Sequence, residues 1–282
     1  MKSLSEADVE KFRHDEFLSP NEFLNEAERQ DCLEGLARFE RWLGEPVNTA
    51  KDHRWRTMPH ITLPWVTNLA KDSRILDKIE DILGPDILMY TSTFFIKEAN
   101  TTTVAAWHQD LTYHGLAPLD QITVWVALTD ASEDAGCMEV LPFEGKPRQM
   151  AHVANVVDNS VNRAAQIITE PLDDSKSAAM ALKPGQFSMH HGLSPHRSGP
   201  NRSNHRRIGL GLNYVPAHVH PKGEFRTGGM LLRGEDHLER FEPVAAPKAE
   251  LDADSMAIRE KVLTAYSNTY QEQEAIHIRD FG

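Results

Sequence analysis

This sequence has little of what holds a secreted or membrane-bound protein together. Its 282 residues include two cysteines, Cys32 and Cys137, too few for the disulfide framework of a small secreted fold. No apolar run approaches the roughly 20 residues that span a bilayer; the densest, Ile122–Leu128, is one strand long. The opening MKSLSEADVEKFRHDEF is charged and has no apolar core of signal-peptide length. Cationic charge is also scarce, with 30 Lys and Arg against 42 Asp and Glu and a net charge of −12. That leaves no basic stripe for phosphates and argues against nucleic acid and against an anionic membrane surface. The expectation is a soluble, cytoplasmic protein whose partner is a small molecule. An anionic one stays open, because local charge can oppose the global sign.

Low-complexity linkers and internal repeats are missing too, so one domain over 1–282 is expected. Its parts are a helical stretch over 1–85, a β core over 86–220 and an extension with a helix over 221–282. Residues 5–17 are amphipathic, and Pro20 is read as the start of a second helix. Leu33, Leu36, Ala37, Glu40 and Leu43 recur at helical spacing until Gly44-Glu45-Pro46, and a third helix is expected over 73–83. From Ile87 the period changes. ILMYTSTFFIK, QITVWVALTD, SAAMALKPGQFSMHHG and RRIGLGLNYVPAHV are strand-like runs between Gly/Pro turns, which suggests a sandwich or barrel. A polar helix over 254–273 either caps this barrel or pairs with a second subunit as a homodimer.

The chemistry starts at AAWHQDLTYHG, residues 105–115. In an extended strand residues two apart share a face, so His108 and Asp110 can reach one ion while Gln109 turns away. H-x-D alone is common by chance, so a third ligand has to be found downstream. His218 and His220 look like a strand exit. His190 and His191 are adjacent and face opposite ways, one packed in the core and the other solvated. His196 is followed eleven residues later by Arg207, in RRIGLGLNY. Alternation sets Arg207, Gly209, Gly211 and Asn213 on one face. Such a face is poor core but fits around a bound carboxylate, gripped by the guanidinium where Cβ atoms are missing. A glycine-thinned edge strand with a solvated arginine would read the same way.

W-H-Q-D, then ITVWVALTDASEDAGCMEVLP, then PGQFSMHHGLSPHRSGPNRSNHRR together resemble the phytanoyl-CoA dioxygenase family of iron(II)/2-oxoglutarate oxygenases. The resemblance covers roughly residues 86–216. It implies a mainly β fold with flanking helices, a double-stranded β-helix (a jelly-roll, cupin-like barrel) with helices from both chain ends packed on its larger sheet. It implies that His108, Asp110 and His196 bind Fe(II), and that Arg207 holds the distal carboxylate of 2-oxoglutarate with the help of Ser198. Trp125 matches a tryptophan lining the cosubstrate pocket. Lys97 aligns with a cosubstrate-contacting lysine, although a solvated strand end would also place a lysine there.

Two imidazoles and one carboxylate on one side of an octahedral ion leave positions for the keto acid and O2, an arrangement that selects iron(II) among oxygen-activating sites. The implied reaction is hydroxylation of a C–H bond of a small organic molecule, with 2-oxoglutarate decarboxylated to succinate. Related halogenases carry Gly or Ala in place of Asp110, so halogenation is not expected. Two alternatives remain: a non-catalytic cupin-like ligand-binding protein, and a zinc hydrolase using Glu98, Glu133 or Glu139 as base. On the substrate side Tyr113 and His60 are the candidate contacts. The stretch KDHRWRTMPHITLPW, residues 51–65, either covers the barrel mouth or is a solvated loop with inward tryptophans. His152 and Asn155 lie in 143–175, a segment expected to serve as a lid.

Overall fold

The computed structural model describes residues 1–143, 147–154, 160 and 166–281. Its large sheet grows from the strongest β pattern in the sequence. Every residue of Ile122–Ala127 and of Arg207–Pro216 is buried, so both faces of these strands are covered. Val124, Val126, Ile208, Leu210 and Leu212 share one apolar core with the helix residues Leu36, Phe39, Val66, Ile75 and Ile79. On the other face Trp125 and Ala127 pack on Met138, Val140 and Met180 of a second sheet.

Among the described residues the large sheet has seven strands, in the spatial order Phe17–Glu22, Gln186–His191, Ile122–Ala127, Arg207–Pro216, Ile87–Lys97, Gly228–Arg233 and Glu242–Pro243. The facing sheet orders Ala105–His108, His196–Ser198, Met138–Val140 and Ala178–Met180. Two mainly antiparallel sheets around a shared interior form the jelly-roll barrel that the family resemblance implied. Helix α1 (Glu6–Asp15) precedes the edge strand Phe17–Glu22, and α2 (Glu26–Leu43), α3 (Pro64–Lys71) and α4 (Ser73–Leu83) lie between that strand and Ile87–Lys97. Helix α5 (Ala253–Phe281) returns from the other chain end and adds Val262 and Leu263 to the outer core.

Three expectations change. Pro20 lies inside the edge strand Phe17–Glu22, which pairs with Gln186–His191 across a register irregularity; at a sheet edge a missing N–H is tolerated. Helix α2 starts instead after Asn25, whose side chain accepts from Glu28 N in a capping box. The barrel's sheet also extends beyond 86–220, because 17–22 and 228–243 supply its outer strands. In the expected lid, His152 opens the strand His152–Ala154, while Asn155 lies outside the described residues.

Candidate metal centre and adjoining cavities

The small sheet pairs His196 directly with His108 and sets the two imidazoles side by side, ring centroids 4.1 Å apart. Each is anchored in the same way. Nδ1 of His108 donates to Ala106 O at 2.8 Å, and Nδ1 of His196 to Ser194 O at 3.0 Å. That tautomer aims both Nε2 lone pairs inward. The strand ends at His108, Gln109 stays extended, and a 3-10 turn opens at Asp110, bringing the carboxylate to the two rings. Asp110 Oδ1 lies 3.7 Å from His108 Nε2 and 3.6 Å from His196 Nε2. Among the described residues these three side chains form the one group that could hold a metal ion, with ligand atoms all within 4.8 Å of one another. Gln109 points away and gives its amide to Leu193 O and Arg148 O.

Burial pushes His108 below the ordinary imidazole range and His196 well below it, so both are neutral lone-pair donors. Burial alone would raise the Asp110 carboxyl, but the imidazoles of His196, His190 and His108 hold it well below the usual carboxylate range. Two neutral imidazoles and one carboxylate suit a divalent first-row metal with open positions.

The large sheet supplies the wall beside this centre. Arg207 is buried, its Nη1 donates to Gly136 O, and its Nε has no partner. No carboxylate among the described residues pairs with it, and burial pulls its pKa down to about 10. The guanidinium lies 5.2 Å from the Trp125 ring. A buried guanidinium with an unfilled donor suits an incoming carboxylate. Arg207, Trp125 and Ser198 line one narrow cavity together with His108, Asp110 and His196. Lys97 is the cross-strand partner of Arg207 and donates to Ser198 Oγ at 2.7 Å and to Gly199 O. The glycine face has a different cause from the one expected. A Cβ on Gly209 would strike Trp125, and one on Gly211 would crowd Phe95, so the missing Cβ atoms make room for aromatic rings.

A second cavity, of about 380 Å³, opens beyond His108 and Asp110. Its floor includes Thr91, Thr123 and Asn213 of the large sheet, and its rim His53, Arg54 and Arg56. Helix α5 roofs it with Tyr266, Ser267 and Tyr270, so this helix caps its own barrel.

Residues 14–209 match the family model described as phytanoyl-CoA dioxygenase (PhyH). The chain belongs to the PhyH family of Fe(II)/2-oxoglutarate oxygenases. It is 29% identical over 186 residues to a probable alpha-ketoglutarate-dependent hypophosphite dioxygenase of Stutzerimonas stutzeri, covering 65% of this chain and 63% of that protein. It is 26% identical over 150 residues to the peroxisomal phytanoyl-CoA dioxygenase of Homo sapiens, covering 52% of this chain and 44% of that protein. The matches thus span less than two thirds of these relatives' own lengths. Among solved structures the non-heme monooxygenase ThoJ, in its apo form, is 26% identical with a TM-score of 0.83, covering 94% of this chain and 98% of that chain.

Not every expected contact of this PhyH-family member reaches a cavity wall. His60 is 2% exposed, with Nδ1 2.7 Å from Ser92 Oγ, and burial drives its pKa down to about 3. The apolar residues around it in the sequence belong to the core and enclose it. Tyr113 is buried too, edge-on to Tyr270 with ring centroids 5.0 Å apart, so it backs the cavity wall from behind. The 51–65 stretch does reach the rim, through His53, Arg54 and Arg56. Of the glutamates suited to a zinc hydrolase, Glu98 pairs with Arg206, Glu139 pairs with Arg197 and Glu133 is exposed. Sequence reasoning missed Tyr266 and Tyr270, whose i, i+4 spacing on α5 was the available signal. It also missed His190, which turns its Nε2 to Asp110 Oδ2 at 3.4 Å. Among the described residues, no helix is long and apolar enough to cross a membrane.

Proposed function

We propose that this chain is an Fe(II)- and 2-oxoglutarate-dependent dioxygenase that hydroxylates a C–H bond of a small organic molecule. One observation carries the reading. His108, Asp110, Thr123 and Phe95 line both cavities, so two of the three candidate ligands stand where a cosubstrate pocket would meet a substrate chamber.

His108 Nε2, His196 Nε2 and Asp110 Oδ1 would hold Fe(II). Arg207 would grip the distal carboxylate of 2-oxoglutarate, with Ser198 and Lys97 alongside and Trp125 against the guanidinium. When bound, Fe(II) and 2-oxoglutarate supply activation of O2, with decarboxylation of the keto acid to succinate. The chain supplies placement. Phe95, Ala105, Trp125 and Met138 line the narrow cavity with largely apolar surface and exclude water from the cosubstrate. The larger chamber joins the aromatic faces of Tyr266 and Tyr270 to converging hydroxyl and amide groups, which supports a substrate with an apolar body and hydrogen-bonding substituents. Its rim carries Arg54 and Arg56, although Arg54 already pairs with Asp52 and Glu260. Amino-acid derivatives, small phosphonates and oxygenated secondary metabolites fit this description better than a long acyl chain. With a metal bound, the Asp110 carboxylate would take the position a halide needs, which supports hydroxylation over halogenation.

The test is anaerobic addition of Fe(II) and 2-oxoglutarate to the full chain. A weak visible charge-transfer band is expected, followed in air by succinate release that the right metabolite stimulates. Absence of the band would remove the metal and cosubstrate assignment and leave the zinc alternative. A normal band without any succinate would favour the non-catalytic binding protein.

A further inference from the structure

We infer that Thr123 and His190 are positioning residues that together occupy the second oxygen of Asp110 and make it a one-oxygen metal ligand. The inference rests on the metal-site reading above. Oδ1 of Asp110 is the atom nearest the Nε2 atoms of His108 and His196. Oδ2 instead accepts from Thr123 Oγ1 at 2.7 Å and from His190 Nε2 at 3.4 Å.

The sheet builds this grip in one row. His190, Thr123 and Asn213 are direct cross-strand partners on three neighbouring strands, and they are 1%, 4% and 7% exposed. The direction of the Thr123 hydroxyl is set from behind. Its oxygen accepts from Asn213 Nδ2 at 2.7 Å and from Gln121 Nε2 at 3.5 Å. Amide N–H groups donate only, so the hydroxyl hydrogen is left for the carboxylate. Gln121 is oriented in turn by His114, whose Nδ1 lies 2.8 Å from Gln121 Oε1. His190 falls outside the group of potential metal ligands; its ring packs on His196 at 4.5 Å between centroids, and its polar contact with the centre is the one to Asp110. Its unpartnered Nδ1 is buried, which leaves the Nε2 contact with Asp110 as the ring's polar anchor.

The consequence is coordinative. A carboxylate whose second oxygen takes two hydrogen bonds offers one oxygen to the ion. A two-oxygen grip would consume a position that a two-atom keto acid or O2 requires.

The experiment measures anaerobic Co(II) affinity and the Co(II) absorption spectrum of the full chain, with the apo fold checked by circular dichroism. Thr123→Val and His190→Phe each remove a donor and should weaken Co(II) binding about tenfold. Thr123→Ser and His190→Gln keep a donor and should recover most of it. The double variant Thr123→Val/His190→Phe should lose less than the product of the single losses, because both donors serve one oxygen. A wild-type chain that takes up no Co(II) would sink the metal reading itself. A wild type that binds Co(II), with Thr123→Val and His190→Phe binding it equally well, would overturn the grip alone. Should the His190 variants misfold, the nearly isosteric Thr123→Val against Thr123→Ser comparison decides.

Discussion

Gly209 lies so close to Trp125 that a Cβ at this position would stand 1.8 Å from Cζ2 of the indole. The same indole flanks the Arg207 guanidinium, so the glycine keeps the wall proposed for the cosubstrate carboxylate in register. Gly209→Ala must push the ring toward Arg207 or out of its packing, at a cost of about 1–3 kcal/mol. We expect a lower melting temperature and 2-oxoglutarate binding weakened about tenfold, the scale of one charge-assisted hydrogen bond. Adding Trp125→Phe should restore part of both. Unchanged cosubstrate affinity in Gly209→Ala would dissociate the indole from the carboxylate site.

Lys97, which reaches the narrow cavity through its bond to Ser198, should make cosubstrate binding pH-dependent. Burial, with Arg207 alongside, lowers its pKa to about 6, so at neutral pH the amine is mostly uncharged. The unfolded chain, titrating near 10.5, then binds more protons, and this contribution to stability grows as pH rises from about 6 toward 10. An incoming carboxylate favours the protonated amine and raises its pKa. Binding of 2-oxoglutarate should therefore take up a proton and weaken as pH climbs above 7. Calorimetry in buffers of different ionisation enthalpy reads this directly, and Lys97→Met should abolish the uptake. Buffer-independent heats in the wild type would contradict it.

Metal removal gives a stability readout independent of turnover. An ion bound only by the folded chain adds about 2.7 kcal/mol at a hundredfold excess over its dissociation constant. Thermal scans with Co(II) should show a rise in melting temperature that a chelator reverses. Asp110→Ala and His196→Ala should show no rise, since each removes one of the three converging donors. A full rise in either variant would place the ion elsewhere.

Glu16 should make the fold weaken toward alkaline pH. Burial, with Asp120 adding repulsion, pushes its pKa up to about 7 from 4.5, and the nearby His191 is itself pushed down to about 4 by burial. Between those two pH values the folded chain holds the extra proton. The stabilisation is complete below about 4.5 and lost as pH rises through 7. Glu16→Gln should melt like the wild type near pH 4.5 and about 3 °C higher at pH 8. Equal melting temperatures at both pH values would show that the carboxyl titrates normally.

The positions that period and chemistry could reach were legible in the sequence. The alternation of RRIGLGLNY placed Arg207 opposite Ile208 and Leu210, and the structure sends those side chains to the barrel interior and to the outer core. What local pattern could not show was pairing across distance. The strand Phe17–Glu22 is defined by partners far along the chain, from Gln186 opposite Glu22 to His190 opposite Phe17, and proline overrode every local cue there. The two adjacent histidines revealed that 190 and 191 face apart. Which of them meets Asp110 depends on Thr123 being the cross-strand neighbour. His60 misled for a related reason, because the apolar residues beside it in PHITLPW enclose it in the core. The glycines were noticed, but the rings of Trp125 and Phe95 that fill their space come from other strands.

Substrate choice should be separable from cosubstrate chemistry, because helix α5 touches one cavity and not the other. Tyr266, Ser267 and Tyr270 line the larger chamber, and no α5 residue lines the narrow one. This helix begins at Ala253, beyond residue 209, where the family match ends. It is seated tightly on the segment after the metal pair, since a Cβ on Gly115 would stand 2.6 Å from Thr269. Tyr270 is braced by Tyr113 edge-on and by a hydrogen bond from Gln166 Nε2 at 2.8 Å, so its ring is a fixed part of the roof. Tyr270→Ala should leave 2-oxoglutarate affinity within about twofold of wild type, as expected for a site that shares no contact with Arg207. It should also change which compounds stimulate succinate release and raise the succinate formed without oxidised product. Tyr270→Phe should lie near wild type in both assays, because it keeps the ring that faces the chamber and gives up the hydroxyl bonded by Gln166. A parallel fall in cosubstrate affinity would mean that α5 acts through the barrel core, and that its aromatic face does not select the substrate.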